Sequence, residues 1–271
     1  MSPTGSIFYT LGIERKVFVE RPGAKGLLLT VLGELVLPRG GSAWTQSLVG
    51  TLGLLGVEER NARQSLARVA ADGYLDRHRE GRRVRWDLSP AGRRLLSSGA
   101  RRIYSLGAAA EAWDGRWLVV LCSVADNATR ARLRTRLGFL GFGFLPGGVA
   151  VSAHVERELE TVEVLKALGV NDAVVLRAEA SDLQPLERAW DIDGLAAAYR
   201  AFLTRRWPAD PLAALVLLVH EWRRFPSIDP ELPEALLPPR WPGRRAKARF
   251  EELRTLWTPD ARARFDAMEG C

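Results

Sequence analysis

The segment Tyr74-Leu-Asp-Arg-His-Arg-Glu-Gly-Arg-Arg-Val-Arg-Trp-Asp-Leu88 places Gly81-Arg82 between two extended runs and alternates Val84, Trp86 and Leu88 on one face. That pattern predicts a two-stranded hairpin with Arg82, Arg83 and Arg85 at or near its tip. Just upstream, Asp72-Gly73 is a helix-stopping pair, and the residues before it, from about Glu58 to Ala71, predict a helix. Its apolar stripe is Ala62, Leu66 and Val69, and Glu58 and Glu59 fall in the first turn, where carboxylates favour the helix dipole. Off the stripe lie Arg60, Asn61, Arg63, Gln64 and Arg68. Arginine can fork onto guanine and asparagine or glutamine onto adenine, while further arginines hold phosphates. A solvated face of any amphipathic helix has a similar composition, so the hairpin that follows is what gives this helix its meaning.

Two helices precede it. Lys25 to Val36 places Leu28, Leu32 and Leu35 at helical spacing, and Pro38-Arg-Gly-Gly41 ends that run. Ser42 is the expected N-cap of a second helix carrying Leu48, Leu52 and Leu55. Three short helices followed by an arginine-tipped hairpin predict a winged helix-turn-helix over residues 1–90, a DNA-binding domain. Ser89-Pro90 then opens a linker helix expected to span 91–112.

Charge points the same way. The 271 residues carry a formal charge of +7, yet residues 1–110 hold 17 Arg and Lys against 9 Asp and Glu, and the other 161 hold 22 against 23. Arginine-rich coding alone, which would make the chain a neutral scaffold, does not concentrate the surplus in the first third; a polyanion-binding domain does. With 47% hydrophobic residues the chain has enough apolar material for two or three cores. No secretory leader is evident at Met1, and the longest plain apolar run, Ala213 to Val219, is far short of a membrane span, so a cytoplasmic location and no membrane partner are expected. Cys122 and Cys271 form no disulfide framework. His78, His154 and His220 lack metal-ligand spacing, so no metal site and no cofactor are expected. Nucleophile-elbow and phosphate-loop motifs are absent, and Gly138, Gly141 and Gly143 read as freedom at a helix end.

The middle of the chain, 113–180, alternates element types. Leu118 to Val124 is a buried-strand run, Asn127 to Leu137 an amphipathic helix, Gly143 to Ala153 a hairpin turning at Gly147-Gly148, Glu158 to Leu168 a helix and Asp172 to Arg177 a closing strand. The order βαββαβ predicts a ferredoxin-like fold. The arginine row Arg130, Arg132, Arg134, Arg136 spreads around a helix and reads as a solvated or interface face. Residues 181–271 predict a mainly helical domain, with helices over Leu183 to Arg206, Asp210 to Phe225 and Arg244 to about Leu256, the second apolar nearly all round. The fold class expected is therefore α+β and multidomain.

Several stretches together resemble the PaaX-like family, repressors of bacterial phenylacetic acid degradation operons. They are Leu37-Pro-Arg-Gly-Gly41, Glu59-Arg60, Asp72-Gly-Tyr-Leu75, Glu80-Gly-Arg-Arg83, Leu88-Ser-Pro-Ala-Gly-Arg93, His220-Glu-Trp-Arg-Arg-Phe225, Asp229-Pro-Glu-Leu-Pro233, Leu236-Leu-Pro238 and Trp241-Pro-Gly243. The resemblance covers about residues 24–260. It implies a non-enzymatic repressor that binds double-stranded operator DNA and is released by an acyl-CoA such as phenylacetyl-CoA. A winged helix covers one half-site, so a homodimer is expected. His220, Arg223, Arg224 and Trp241 are the effector-binding candidates, arginines for phosphates or a carboxylate and tryptophan for an aromatic acyl group. A capped helix C-terminus, where His and Arg offset the dipole, explains the first three as well. The family's middle domain is similar to small CRISPR-associated ferredoxin-like nucleases, which raises an alternative: metal-dependent nuclease chemistry at Asp126. A lone aspartate before Asn127 is explained equally by helix capping.

Overall fold

Helix α1 (Ala24–Val31) runs directly into a π turn at Leu32–Val36, and together they bury Leu27, Leu28, Val31, Leu32, Leu35 and Val36. The same π turn carries Glu34 inward, only 4% exposed. This computed structural model describes residues 23–107, 113–182, 186 and 188–270. After the π turn, Gly40 and Gly41 take left-handed φ of 92° and 85° and reverse the chain. Then follow strand β1 (Ser42–Trp44), helices α2 (Thr45–Leu54) and α3 (Glu59–Ala71), and the hairpin of β2 (Leu75–Glu80) and β3 (Arg83–Leu88). The three strands form an antiparallel sheet in the order β1-β3-β2.

Ser42 does not cap α2. It lies in β1, where its hydroxyl bonds the Asp87 carboxylate on β3, and α2 begins after Trp44 with no side-chain cap. A three-residue strand is too short to show a period in sequence. Ser89 does cap α4 (Pro90–Ser105), its Oγ accepting from the Gly92 amide at 3.0 Å. The expected linker helix ends early: it stops at Ser105, Leu106 turns extended, and residues 108–112 lie outside the described residues.

The middle segment comprises β4 (Arg116–Leu121), α5 (Asn127–Gly138), β5 (Gly143–Leu145), β6 (Val149–Ser152), α6 (Glu158–Ala167) and β7 (Val174–Glu179). Its sheet is antiparallel throughout in the order β5-β6-β4-β7. Leu118 and Val120 face α5 and α6 and meet Leu133, Leu137 and Leu165. On the opposite face Trp117 and Val151 pack with Trp190 and Leu232 from the following segment.

The last segment is helical. Helix α7 (Ile192–Thr204) starts later than the expected Leu183, capped by Asp191 through the Gly194 amide at 2.8 Å; residues 183–185 lie outside the described residues. Helix α8 (Pro211–Trp222) buries Leu212, Ala213, Ala214, Leu215, Val216, Leu218, Val219 and Trp222, as its all-round apolar sequence requires. Helix α9 (Pro242–Glu269) does not end near Leu256 but runs through Pro259 for 28 residues. Proline removes one helical donor, and next to it the Thr258 hydroxyl donates to the Arg254 carbonyl at 2.6 Å.

Side chains of α1–α3 and of α7–α9 belong to one continuous core, while the middle sheet builds its own core on one face and shares a smaller cluster with the last segment on the other. Trp222 stacks on Phe250 at 4.6 Å and 9° within the shared core and donates its indole N–H to the Ile103 carbonyl at 3.2 Å. The first and last thirds should therefore unfold together. Phe265→Ala, at a fully buried position of α9, should cost about 3–5 kcal/mol. In urea unfolding it should shift one transition that carries both thirds; an N-terminal transition left in place would contradict the shared core.

Candidate nucleic-acid interface

Ala62, Ser65, Leu66 and Val69 anchor α3 inward. One turn is 3.6 residues, so Arg60, Arg63, Gln64, Ala67 and Arg68 share the outward face, with Asn61 at its edge, and all six are exposed. Arg63 is held by Glu59 at 2.7 Å. The side chains of Arg60, Asn61, Gln64 and Arg68 make no hydrogen bond or ion pair among the described residues. Ala67 in their midst leaves room for close approach.

The hairpin tip is shaped by Gly81, whose φ is 60°, and by Arg79, whose Nε donates to the Gly81 carbonyl at 3.1 Å. Arg82 projects outward. Arg83 lies over the Trp44 ring at 4.2 Å and donates to the Glu269 carbonyl at 3.2 Å. Arg85 differs: Glu80 holds it at 2.6 Å and Asp87 at 3.2 Å along the outer sheet face. Burial alone would raise the Asp87 carboxyl, but hydrogen bonds from Ser42 and Arg85 outweigh it and hold the group below its ordinary value. Between hairpin tip, α2 and α3 runs a groove of about 450 Å³ lined by Trp44, Gln46, Glu59, Arg63, Arg82 and Arg83, among others. Sequence reasoning missed Trp44 and Gln46, because only the three-dimensional approach of β1 to the hairpin brings them there. It also passed over exposed Arg77 and Arg79 on β2.

The four effector candidates do not converge. His220 Nδ1 lies 3.2 Å from the Thr30 hydroxyl, and Arg223 donates to the Gly26 carbonyl at 3.0 Å and to Thr30 at 3.1 Å, so both fasten α8 to α1. Arg224 turns outward to Glu221 at 3.4 Å, and Trp241 packs edge-on against Tyr199 at 5.8 Å. Sequence reasoning also missed a more enclosed cavity of about 140 Å³, lined by Tyr104, Leu106, Trp222, Lys247, Phe250 and Arg254 with Glu251 and Thr255. Beside it the buried Glu34 carboxylate accepts from Arg254 Nε at 2.9 Å and from the Tyr104 hydroxyl. Burial and the Glu34 charge push the Tyr104 phenol well above its usual range. Asp126 is an exposed cap, its carboxylate accepting from the Thr129 amide at 2.7 Å, which lowers its pKa. Among the described residues no three His, Cys, Asp or Glu side chains cluster to hold a metal, and no helix is long and apolar enough to cross a membrane.

The arrangement defines a mixed α+β protein with two small sheets and an arginine-lined helix-and-hairpin surface. The chain belongs to the PaaX-like protein family. Residues 23–92 match the PaaX-like protein model, 110–189 the PaaX protein central Cas2-like domain and 190–267 the PaaX-like protein C-terminal domain. It is 32% identical over 243 residues to the transcriptional repressor PaaX of Escherichia coli (strain K12), covering 82% of this chain and 76% of that one. It is also similar to the solved structure of the uncharacterized protein Rv0674 from Mycobacterium tuberculosis. That match has a TM-score of 0.61 and 25% identity, over 90% of this chain and 98% of the other.

His220 yields a pH prediction. Burial and the neighbouring Arg223 push its pKa down from 6.5 to about 4, against the hydrogen bond toward Gly26, with Arg224 and Arg205 adding in the same direction. A base depressed in the folded state contributes its full stability above pH 6.5 and loses it as pH falls toward 4. Thermal melts followed by circular dichroism should show Tm falling through that window, and His220→Gln should flatten the slope.

Proposed function

We propose that this chain is a DNA-binding transcriptional repressor with no catalytic step. The observation that carries the reading is the outward face of α3, where Arg60, Asn61, Gln64 and Arg68 hold side-chain donors and acceptors that nothing among the described residues uses. The likeness to a named transcriptional repressor across most of both chains supports it. In this reading residues 1–90 are a winged helix-turn-helix, with α3 in the major groove and Asn61, Gln64 and Arg68 at base edges. Arg60 and Arg63 flank it. The hairpin arginines Arg82, Arg83 and Arg85 face the backbone, and Arg82, which has no internal partner among the described residues, meets a phosphate directly. Residues 91–112 link to a ferredoxin-like central domain (113–180), and residues 181–271 form the effector and dimerisation domain. Two copies read a pseudo-palindrome.

Release follows from an acyl-CoA such as phenylacetyl-CoA, bound more tightly by the off-DNA arrangement; the shift cannot exceed that difference in affinity. A cavity of about 140 Å³ walled by Tyr104, Trp222 and Phe250 suits a single aromatic ring, with Lys247 and Arg254 beside it for the carbonyl. His220, Arg223 and Trp241 are engaged elsewhere in the helical region, and Arg224, exposed and paired with Glu221 at 3.4 Å, is the cation left for the nucleotide end. Helix α9 connects that cavity to the DNA surface. From Arg254 to Glu269 it spans about 22 Å, and Glu269 accepts from the Trp44 amide at 3.0 Å.

Operator binding measured by fluorescence anisotropy should weaken by about 1–3 kcal/mol in Asn61→Ala and Arg68→Ala, with relaxed discrimination at one base position. Arg82→Ala should weaken all sequences alike and reduce the salt slope by about one. Unchanged operator affinity in all three variants would remove α3 and the hairpin from the interface. Metal-dependent DNA cleavage lost in Asp126→Ala would instead establish the nuclease alternative. Thr255→Trp, which fills the cavity, should leave operator affinity intact while phenylacetyl-CoA no longer releases the DNA.

A further inference from the structure

At the end of β4, where the chain turns through Cys122, Ser123 and Val124 into α5, an open cleft of about 330 Å³ lies between α5 and the β5–β6 turn. Its floor is apolar, from Leu133, Leu137, Phe144, Leu145 and Val149, and its rim carries Arg130 and Arg134. Among the described residues no acidic side chain lines it; Asp126 is turned into its own helix, and Asp172 is felt only at the Cys122 edge. The two arginines are not equivalent. Arg130 donates to the Val124 carbonyl at 2.6 Å, to the Ala125 carbonyl at 3.3 Å and to Asn127 Oδ1 at 2.9 Å, which fixes the loop. Arg134 has no hydrogen bond or ion pair among the described residues and instead lies over the Phe144 ring at 4.5 Å. The ring holds the guanidinium plane beside the cleft while leaving its N–H fork unpaired.

The opposite wall is also built to shape. Gly147 and Gly148 both take φ of 80°, and a Cβ on Gly148 would sit 2.2 Å from the Cys122 carbonyl. Gly148 in turn accepts from the Cys122 amide at 3.1 Å, so the turn is tied to the strand end and the cleft is preformed. An apolar floor with one convergent, unpaired cation is the usual composition of a small-molecule site, and this volume is at its lower end.

We propose that this cleft binds a small organic anion, a carboxylate or phosphate ester whose head pairs with the Arg134 fork and whose compact apolar body lies on Leu133, Phe144 and Val149. The site is separate from the cavity beside Tyr104 and from the α3 surface, and needs neither. Titration calorimetry on the full chain with hexanoate and with phenyl phosphate tests it. Inorganic phosphate serves as the head alone and 1-hexanol as the body alone. One or both organic anions should bind saturably at one site, more tightly than either control, and which one does so distinguishes the two heads. Arg134→Gln should weaken that binding at least about tenfold, the loss of a charged hydrogen-bond pair. Arg136→Gln, elsewhere on α5, should change nothing, and both variants should keep wild-type circular dichroism and operator affinity. Absence of saturable binding in the millimolar range would overturn the proposal. So would inorganic phosphate binding as tightly as the organic anions, or equal weakening by both variants, which would mark an adventitious ion held by diffuse charge.

Discussion

The Glu34–Arg254 pair, with the Tyr104 hydroxyl as third member, is the interaction on which the arrangement of the chain depends. Its partners come from the π turn after α1, from the end of α4 and from the middle of α9. A carboxylate 4% exposed is costly to desolvate, and attraction repays that only when the geometry is good and the remaining lone pairs are bonded. Here Arg254 supplies two nitrogens to one oxygen of Glu34, and Tyr104 bonds the other. Arg254 also lies over the Tyr104 ring at 4.3 Å. Removing any member strands a buried polar group, so the three elements hold one another in register. Apolar packing around Trp222 and Phe250 supplies most of the burial but is less directional.

That register extends toward the hairpin. Beyond Arg254, α9 carries Phe265 into the core beside Arg39, pairs Asp266 with Arg39, and ends with Met268 and Glu269 against α2 and β1. The hydroxyl of Ser47 donates to the Met268 carbonyl at 3.2 Å, satisfying a helix-end acceptor that would otherwise need water. The surface that carries α3 is thus supported from behind by the last helix. The middle sheet has its own core under α5 and α6 and joins the last segment on its other face, through Trp117 and Val151 against Trp190 and Leu232 and through the His154 ring nitrogen 2.9 Å from the Pro230 carbonyl.

Sequence legibility followed the strength of the local signal. Helix α3 was legible because its apolar stripe, its first-turn glutamates and the Asp72-Gly73 stop agree. The hairpin was legible because Val84, Trp86 and Leu88 alternate around a glycine turn. Strand β1 was not, since three residues carry no period and Ser42 is an equally good cap on paper. The full length of helix α9 was not legible, since Pro259 is a local stop signal; its continuation depends on Phe265 and Ala261 being buried by elements remote in sequence. At the candidate site, outward exposure of Arg60, Asn61, Arg63, Gln64 and Arg68 followed from the helical period. The fates of Arg85, His220 and Arg223 did not, because their partners lie on other strands and helices.

Those fates change what the basic surplus of the first 110 residues means. Arg63 and Arg85 are already paired with Glu59, Glu80 and Asp87, and Arg83 is shared between Trp44 and the end of α9. A phosphate contact by any of these shares the guanidinium with an internal partner that already screens its charge, and the net gain is smaller than for an unpaired arginine. Exposed pairs such as Arg63–Glu59 are worth little and yield easily; Arg83 is held by a ring and by a helix end that belongs to the last third of the chain. A polyanion therefore meets two classes of arginine. In the proposed reading Arg60 and Arg82 set the counterion-release part of the affinity. Arg83 is tied to the end of α9 through the Glu269 carbonyl and to β1 through the Trp44 ring, so this cation of the hairpin is positioned by the last third of the chain.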